Sequence, residues 1–279
     1  MPRDIDLLTS PSLKHLRDRW WDETFQAFLH DTLQPRPGKR MLDVGCGSGG
    51  AAVYLGLHVA QVEIVGIDLV PDRAHTALEA TRDHNVRARF AAGDARRLPF
   101  AAETFDSVFA IAVLQHVADP AGALRECRRV VRAGGRVLVV EPENAIRHWT
   151  SSGAAGEAAY AASRAFFDAW EEERAGPNEP RLGPLVPSLC HDAGLEPLDV
   201  RVFPVAETRL GAPAPPWWEA RMTVARTAVS RATRPRTRQL GERFLAALDD
   251  YRAEAALEGR RFVELQTTLL YATAAQASA

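Results

Sequence analysis

The chain has 279 residues, 46% hydrophobic and 25% charged, with a net charge of −2. That suits a globular protein of one large domain, or one domain with a cap, and offers no global field to draw in nucleic acid or an anionic membrane. Cys46, Cys127 and Cys190 are odd in number and far apart, so neither a disulfide framework nor a metal site is expected.

The N-terminus, Met1-Pro2-Arg3-Asp4-Ile5-Asp6, has no apolar signal core, and no window has the length and apolarity of a membrane span. A cytoplasmic protein is expected. Leu13–Leu33 has Leu16, Trp20, Phe25, Phe28 and Leu29 at helical spacing, which predicts one or two amphipathic helices. Pro35-Arg36-Pro37-Gly38 breaks the pattern. Alternating units follow. Met41–Val44 reads as a strand, Gly50–Leu57 as a helix and Glu63–Asp68 as a second strand. A helix starts at Pro71, a favourable first helical position, and runs to about His84. Val86–Ala91 and Phe105–Ala110 read as strands three and four, Pro120–Val131 as a helix, and Arg136–Val140 as strand five. Such alternation predicts a parallel sheet with helices on both faces.

The pattern then changes. Asn144–Arg174 is Ala-rich and reads as helical, Pro184–Ala193 as a helix closed by Gly194, and Pro197–Val205 as a strand. Residues 206–260 read as an insertion, a Pro-rich loop followed by helices. Val263–Thr273 is a closing β-rich run. The expected division is an N-terminal helical cap over 1–37, a Rossmann-like domain over 38–205 plus 261–279, and a helical substrate cap over 206–260.

The most informative stretch is Leu42-Asp43-Val44-Gly45-Cys46-Gly47-Ser48-Gly49-Gly50. An apolar strand ends in an acid, a glycine-rich turn follows, and a helix begins. Glycines admit positive φ and let a ligand approach the backbone, and the helix start offers unpaired N–H groups. Gly45, Gly47 and Gly50 satisfy G-x-G-x-x-G, with Asp68 at the end of the next strand, a pattern that also suits a dinucleotide. Asp43 argues against a pyrophosphate, because its carboxylate would repel one and would attract an ammonium group. Gly93-Asp94-Ala95 adds an acid able to accept from an exocyclic amine. Asp43, Asp68 and Asp94 together fit a cationic, phosphate-free, adenosine-containing cofactor, the character of S-adenosylmethionine.

These residues carry a family resemblance. The order of the glycine turn, Gly66-Ile67-Asp68, Gly93-Asp94-Ala95 with Leu98-Pro99-Phe100, Phe105-Asp106, Leu114-Gln115-His116-Val117 and Arg132-Ala133-Gly134-Gly135-Arg136-Val137 resembles the class I S-adenosylmethionine-dependent methyltransferases of the small-molecule branch. The resemblance covers roughly residues 38 to 142. It implies an α/β, Rossmann-like, seven-stranded, mostly parallel sheet whose last strand runs antiparallel. It also implies roles. Asp43 and the Gly45, Cys46, Gly47 and Gly49 backbone would hold the methionine end of the cofactor. Asp68 would bind the ribose hydroxyls, Leu69 would lie against adenine, and Asp94 and Ala95 would meet its edge. Ile111 would pass under the methionine moiety, with His116 near the sulfonium.

Methyl transfer from a sulfonium needs alignment and exclusion of water more than it needs a catalytic group. Candidate bases are His116, His148 and Glu141, of which His116 and Glu141 follow strands four and five, where open α/β sheets bind ligands. Candidate substrate contacts are Trp20, Trp21, His148, Trp149, Tyr160, Trp217 and Trp218, flat apolar surfaces with polar handles. They favour a small organic substrate. Arg221, Arg226, Arg231, Arg234, Arg236, Arg238 and Arg243 crowd the insertion, but a solvated face is the plainer reading and nucleic acid the minor one. The expected function is methylation of an O, N or C nucleophile of a metabolite. A non-methylating S-adenosylmethionine-binding cyclase or regulator is the alternative, and an NAD(P)-dependent oxidoreductase the third.

Overall fold

The computed structural model describes residues 20–143, 148–174 and 182–278. They divide into two compact units: 23–143, 182–203 and 269–278 form the first, and 20–22, 148–174 and 204–268 the second. The Leu13–Arg19 part of the N-terminal expectation lies outside the described residues.

The first unit opens with helix α1 (Glu23–Leu33), which buries Phe25, Phe28, Leu29 and Leu33. Strand β1 (Arg40–Val44) is followed by α2 (Gly50–His58), β2 (Glu63–Asp68) and α3 (Pro71–Asp83). Next come β3 (Ala88–Ala92), β4 (Phe105–Ile111), a 3-10 turn at Leu114–His116, and α4 (Pro120–Val130), whose first turn Asp119 caps by accepting from Gly122. Strand β5 (Val131–Pro142) completes the parallel set. It starts earlier than expected, because Val131 pairs with Phe105 before the register shifts at the Gly134-Gly135 kink and resumes at Ser107↔Arg136. Later in the chain, α6 (Leu182–Asp192) and β7 (Leu195–Leu210) are separated by Gly194, which has a φ of 76°. Strand β8 (Val263–Ala277) contributes its C-terminal half here.

Strands run in the order β3-β2-β1-β4-β5-β8. The first five are parallel, and β8 lies antiparallel to β5, Arg136↔Gln276 through Pro142↔Leu270. β7 pairs with β8. The central strands are covered on both faces and therefore read as continuous apolar runs; Met41, Leu42, Val44, Val108, Phe109, Leu138 and Val140 are fully buried. This is the expected seven-strand arrangement, with one further short strand in the second unit.

That strand is β6 (His148–Ser151), paired antiparallel with the first half of β8, His148↔Thr267 to Ser151↔Glu264. The expectation of helix from Asn144 is corrected here. Residues 144–147 lie outside the described set, 148–151 are extended, and helix α5 begins only at Ala154 and runs to Arg174. Helices α7 (Pro215–Ser230) and α8 (Pro235–Glu258) each start with proline in the first turn. Phe166, Trp170, Trp218, Met222, Phe244, Leu248, Tyr251 and Phe262 form this unit's core.

The observed division departs from the expected one in α1, in α5 and in residues 261–268, which fall in the second unit. Helix α1 belongs with the sheet, because Phe25 and Phe28 meet Phe203 of β7 at ring-centroid distances of 5.4 and 5.6 Å. The Ala-rich α5 belongs with residues 204–268, because it packs along α8. No helix among the described residues is long and apolar enough to cross a membrane.

Candidate functional site

Parallel pairing of β1 with β2 sets the site. Val44 lies beside Ile67, so the glycine turn after β1 and Asp68 at the end of β2 emerge together. Cys46 N–H donates to the Ile67 carbonyl at 2.9 Å, and Gly47 N–H donates to Asp68 Oδ2 at 3.0 Å. The other carboxylate oxygen of Asp68 accepts from Val70 N–H at 2.9 Å. Asp68 therefore fastens the turn while itself only 6% exposed.

Two glycines are required for different reasons. Gly49 has a φ of 82°, and a Cβ there would sit 2.9 Å from Ala77 Cα of α3. Gly47 has a φ of 53° and nothing within 4 Å of where its Cβ would be, so the turn's backbone is open to a ligand on that side.

Asp43 is 3% exposed, and among the described residues its Oδ2 has no hydrogen-bond partner. Burial, with the Asp68 charge adding to it, pushes its acid up to about 8. A buried acid with an acceptor oxygen to spare, beside the Asp68 carboxylate, suits a positively charged group, whose arrival would favour loss of the Asp43 proton. These acceptors fit an ammonium-bearing, phosphate-free group and would oppose a pyrophosphate.

The other cofactor candidates gather on the neighbouring strand ends. Leu69 follows Asp68 and is 69% exposed, a large apolar side chain at the surface beside the turn. Asp94 is held by Arg96, with Nη2 to Oδ2 at 2.7 Å and the Arg96 amide to Oδ1 at 2.9 Å. That hydrogen-bonded guanidinium keeps the Asp94 carboxyl below its usual range. Ala95 packs at the edge of the first unit's core. The Leu98-Pro99-Phe100 segment is pinned from α4: Glu126 accepts from Leu98 N–H at 2.7 Å, and Arg129 donates to the Leu98 and Phe100 carbonyls. Sequence reasoning missed Glu126 and Arg129, because two opposite charges three apart on a helix carry no signal that sets them off from a solvated face.

Past β4, Ile111 is half-buried and Ala112 takes a φ of 57°. Glu141, at the end of β5, is fully buried and aims both oxygens at this bend. Oε1 accepts from Val113 N–H at 2.9 Å and Leu114 N–H at 2.7 Å, and Oε2 from Gln115 N–H at 3.4 Å. The residue expected as a base thus holds the 3-10 turn that ends in the exposed His116. Asp106 lies at the amino end of β4 and ties Lys39, Arg132 and the Arg40 amide.

The candidate substrate residues fall in the second unit. Trp149 donates to Glu264 Oε2 at 2.9 Å, and the Arg221 guanidinium lies 3.6 Å from the Trp149 ring centroid. Arg221 pairs with Glu264 at 2.7 Å, and Tyr251 O–H donates to the same oxygen at 2.7 Å. Tyr160 meets Trp149 at 6.1 Å, and Trp217 meets Trp218 edge-on at 4.8 Å. Trp217 is half-buried; Trp218 is 4% exposed and borders a hollow of about 300 Å³ lined also by Pro213, Pro215, Glu219 and Arg252. Trp20 is buried, its Nε1 without a partner among the described residues, and Trp21 is half-buried. The His148 main chain pairs with Thr267, while its side chain lies outside the described set.

The family model described as a methyltransferase domain matches residues 42–139. Demethylmenaquinone methyltransferase of Deinococcus radiodurans is 36% identical over 124 residues, covering 44% of this chain and 50% of the relative. This chain thus spans about half the length of that curated relative. Among solved structures, phosphoethanolamine N-methyltransferase 2 of Haemonchus contortus, in complex with phosphomonomethylethanolamine and S-adenosylhomocysteine, superposes with a TM-score of 0.54 at 18% identity, covering 99% of this chain and 59% of that one. The [4+2]-cyclase SpnF superposes equally well, with a TM-score of 0.54 at 21% identity over 91% of this chain and 80% of that one. Residues 42–139 thus match a methyltransferase domain, and over that span the chain is similar to methyltransferases.

Proposed function

We propose that the protein transfers a methyl group from S-adenosylmethionine to an O, N or C nucleophile of a small metabolite. The observation that carries the reading is the buried Asp43 with its unpartnered oxygen, set directly before the glycine turn. When bound, the cofactor supplies an electrophilic methyl group on a cationic sulfur. Asp43 and the backbone of Gly45, Cys46, Gly47 and Gly49 would hold its amino-acid end. Asp68 retains acceptor capacity for ribose hydroxyls beyond the two amides it already receives. Leu69, Asp94 and Ala95 would face the adenine, and Ile111 and His116 the methionine side.

Rate would come mainly from alignment and from exclusion of water. Glu141 acts in this reading as a positioning residue for the bend at 112–116, and His116 is the candidate for removing a proton where a nucleophile retains one. Trp20, Trp21, Trp149, Tyr160, Trp217, Trp218 and His148 are the candidates for the substrate, with residues 206–260 as its cap. The small-metabolite reading is supported by this aromatic surface and by a relative named for a quinone. The three free, buried cysteines support a reducing, cytoplasmic setting.

A non-methylating cyclase is the second reading, because the same fold carries the [4+2]-cyclase SpnF. One experiment separates the two. The purified chain is incubated with S-adenosylmethionine and metabolite fractions, and S-adenosylhomocysteine is quantified. Methyl transfer predicts formation of S-adenosylhomocysteine that depends on the added fraction. Absence of conversion with every fraction, with the cofactor bound, would favour the cyclase.

A further inference from the structure

Strand β7 presents an unusual outer row. Leu198, Val200 and Val202 alternate along it and are 46%, 44% and 45% exposed. The opposite face is used: Phe203 packs on Phe25 and Phe28, and Arg201 lies over the Phe28 ring at 4.7 Å. Among the described residues β7 pairs with β8 and with no other strand, so its second edge offers unpaired main-chain donors and acceptors. Three exposed aliphatic side chains on such an edge invite another strand.

The segment is self-complementary. Antiparallel pairing of β7 with a second copy about a two-fold axis at Val200 sets Val200 against Val200 and Leu198 against Val202. The same register sets Asp199 against Arg201 of the second copy, at both ends. The apolar pairs then share one face and the opposite charges share the other, as cross-strand pairs require. Asp199 and Arg201 already form an exposed ion pair at 2.9 Å within one chain, so their charges stand at the edge. Pro197 and Pro204 bracket the segment and confine the ladder to the residues between them.

We propose that residues 198–202 of β7 form the centre of a two-fold homodimer interface, joining the sheets of two copies edge to edge. A two-fold contact needs one patch that matches itself, and this sequence does so in both shape and charge.

The test is sedimentation of the full chain over a range of concentrations. The wild type is expected to shift reversibly from monomer to dimer. V200K places two cations at the two-fold axis on a side chain that is already exposed, and should raise the dissociation constant roughly tenfold or more without changing the melting temperature. D199R alone opposes like charges at both ends and should weaken the dimer. The double variant D199R/R201D restores opposite signs across the axis and should recover it. A wild type that stays monomeric at every concentration would overturn the proposal. So would a dimer that V200K leaves unchanged, or one that the double charge reversal fails to recover. A monomer whose Val200 amide is protected from hydrogen exchange would mean that another part of the same chain lies on this edge, and would equally overturn it.

Discussion

Gly47 donates its amide to Asp68 over 3.0 Å, joining the turn after β1 to the end of β2. The bond fixes where the open backbone of the turn faces, and it places two acids, Asp43 and Asp68, close enough for the charge of the second to add to burial in raising the pKa of the first. The site thus sets the Asp68 carboxylate, the buried Asp43 acid and open main chain at one point.

Asp68→Ala removes both the anchor of the turn and the proposed ribose acceptor. S-adenosylmethionine affinity should fall by roughly 10- to 100-fold, since hydrogen bonds to charged groups contribute about 1.5–3 kcal/mol. Asp68→Asn should lose less. Equilibrium dialysis with labelled cofactor reads this directly, and unchanged affinity in the alanine variant would show that the ribose lies elsewhere.

Asp43 gives a pH signature. Its folded pKa, about 8, lies above its ordinary value of 3.8, so the folded state keeps a proton that the unfolded state has lost. Between those values the folded chain binds more protons, and stability falls as pH rises from about 4 to about 8. Asp43→Asn should flatten that part of the melting-temperature profile and raise stability near pH 8. The same variant should lose cofactor affinity. A wild-type and variant pair with parallel profiles would contradict the burial of this acid.

Glu141 separates positioning from catalysis. Alanine at this position leaves three main-chain donors without their acceptor and should cost about 2–4 kcal/mol in chemical denaturation. Glu141→Gln keeps one acceptor oxygen and should cost less. If Glu141 only positions the bend, Glu141→Gln leaves the shape of the pH–rate profile intact while lowering its height. Loss of the acidic limb of that profile would identify Glu141 as the base.

In the second unit, Arg221 and Glu264 form a buried pair inside an aromatic cluster. Arg221→Met strands the Glu264 charge and should destabilise by about 3–5 kcal/mol. The double variant Arg221→Met/Glu264→Gln should recover much of that loss. Additive losses in the double variant would show that the two side chains do not act as a pair.

Much of the first unit was legible because its local signals agree. Asp43 before glycines, Pro71 at a helix start and the apolar runs of β1 and β4 each point to one conformation. β6 was not legible: four residues, His148-Trp149-Thr150-Ser151, are too short to show alternation, and they abut an Ala-rich helix. Their extended form comes from pairing with β8, more than a hundred residues away. Glu141 was located but not understood. An acid at the carboxyl end of a strand reads as a candidate base, and only the fold reveals that the amides of residues 113–115 turn toward it. Trp218 and Trp149 read as free aromatic surface; the ion pair that draws Trp149 inward joins residues 43 positions apart.

Acids at the turn suited to a cationic, phosphate-free cofactor should discriminate S-adenosylmethionine from a dinucleotide, and a calorimetric titration reads that discrimination. S-adenosylmethionine and NADH are titrated in turn into the wild-type chain and into the Asp43→Asn variant. Saturable one-to-one binding of S-adenosylmethionine to the wild type is expected, with marked weakening in the variant and no competing NADH binding. Preferential binding of NADH, or S-adenosylmethionine binding that Asp43→Asn leaves unchanged, would contradict it.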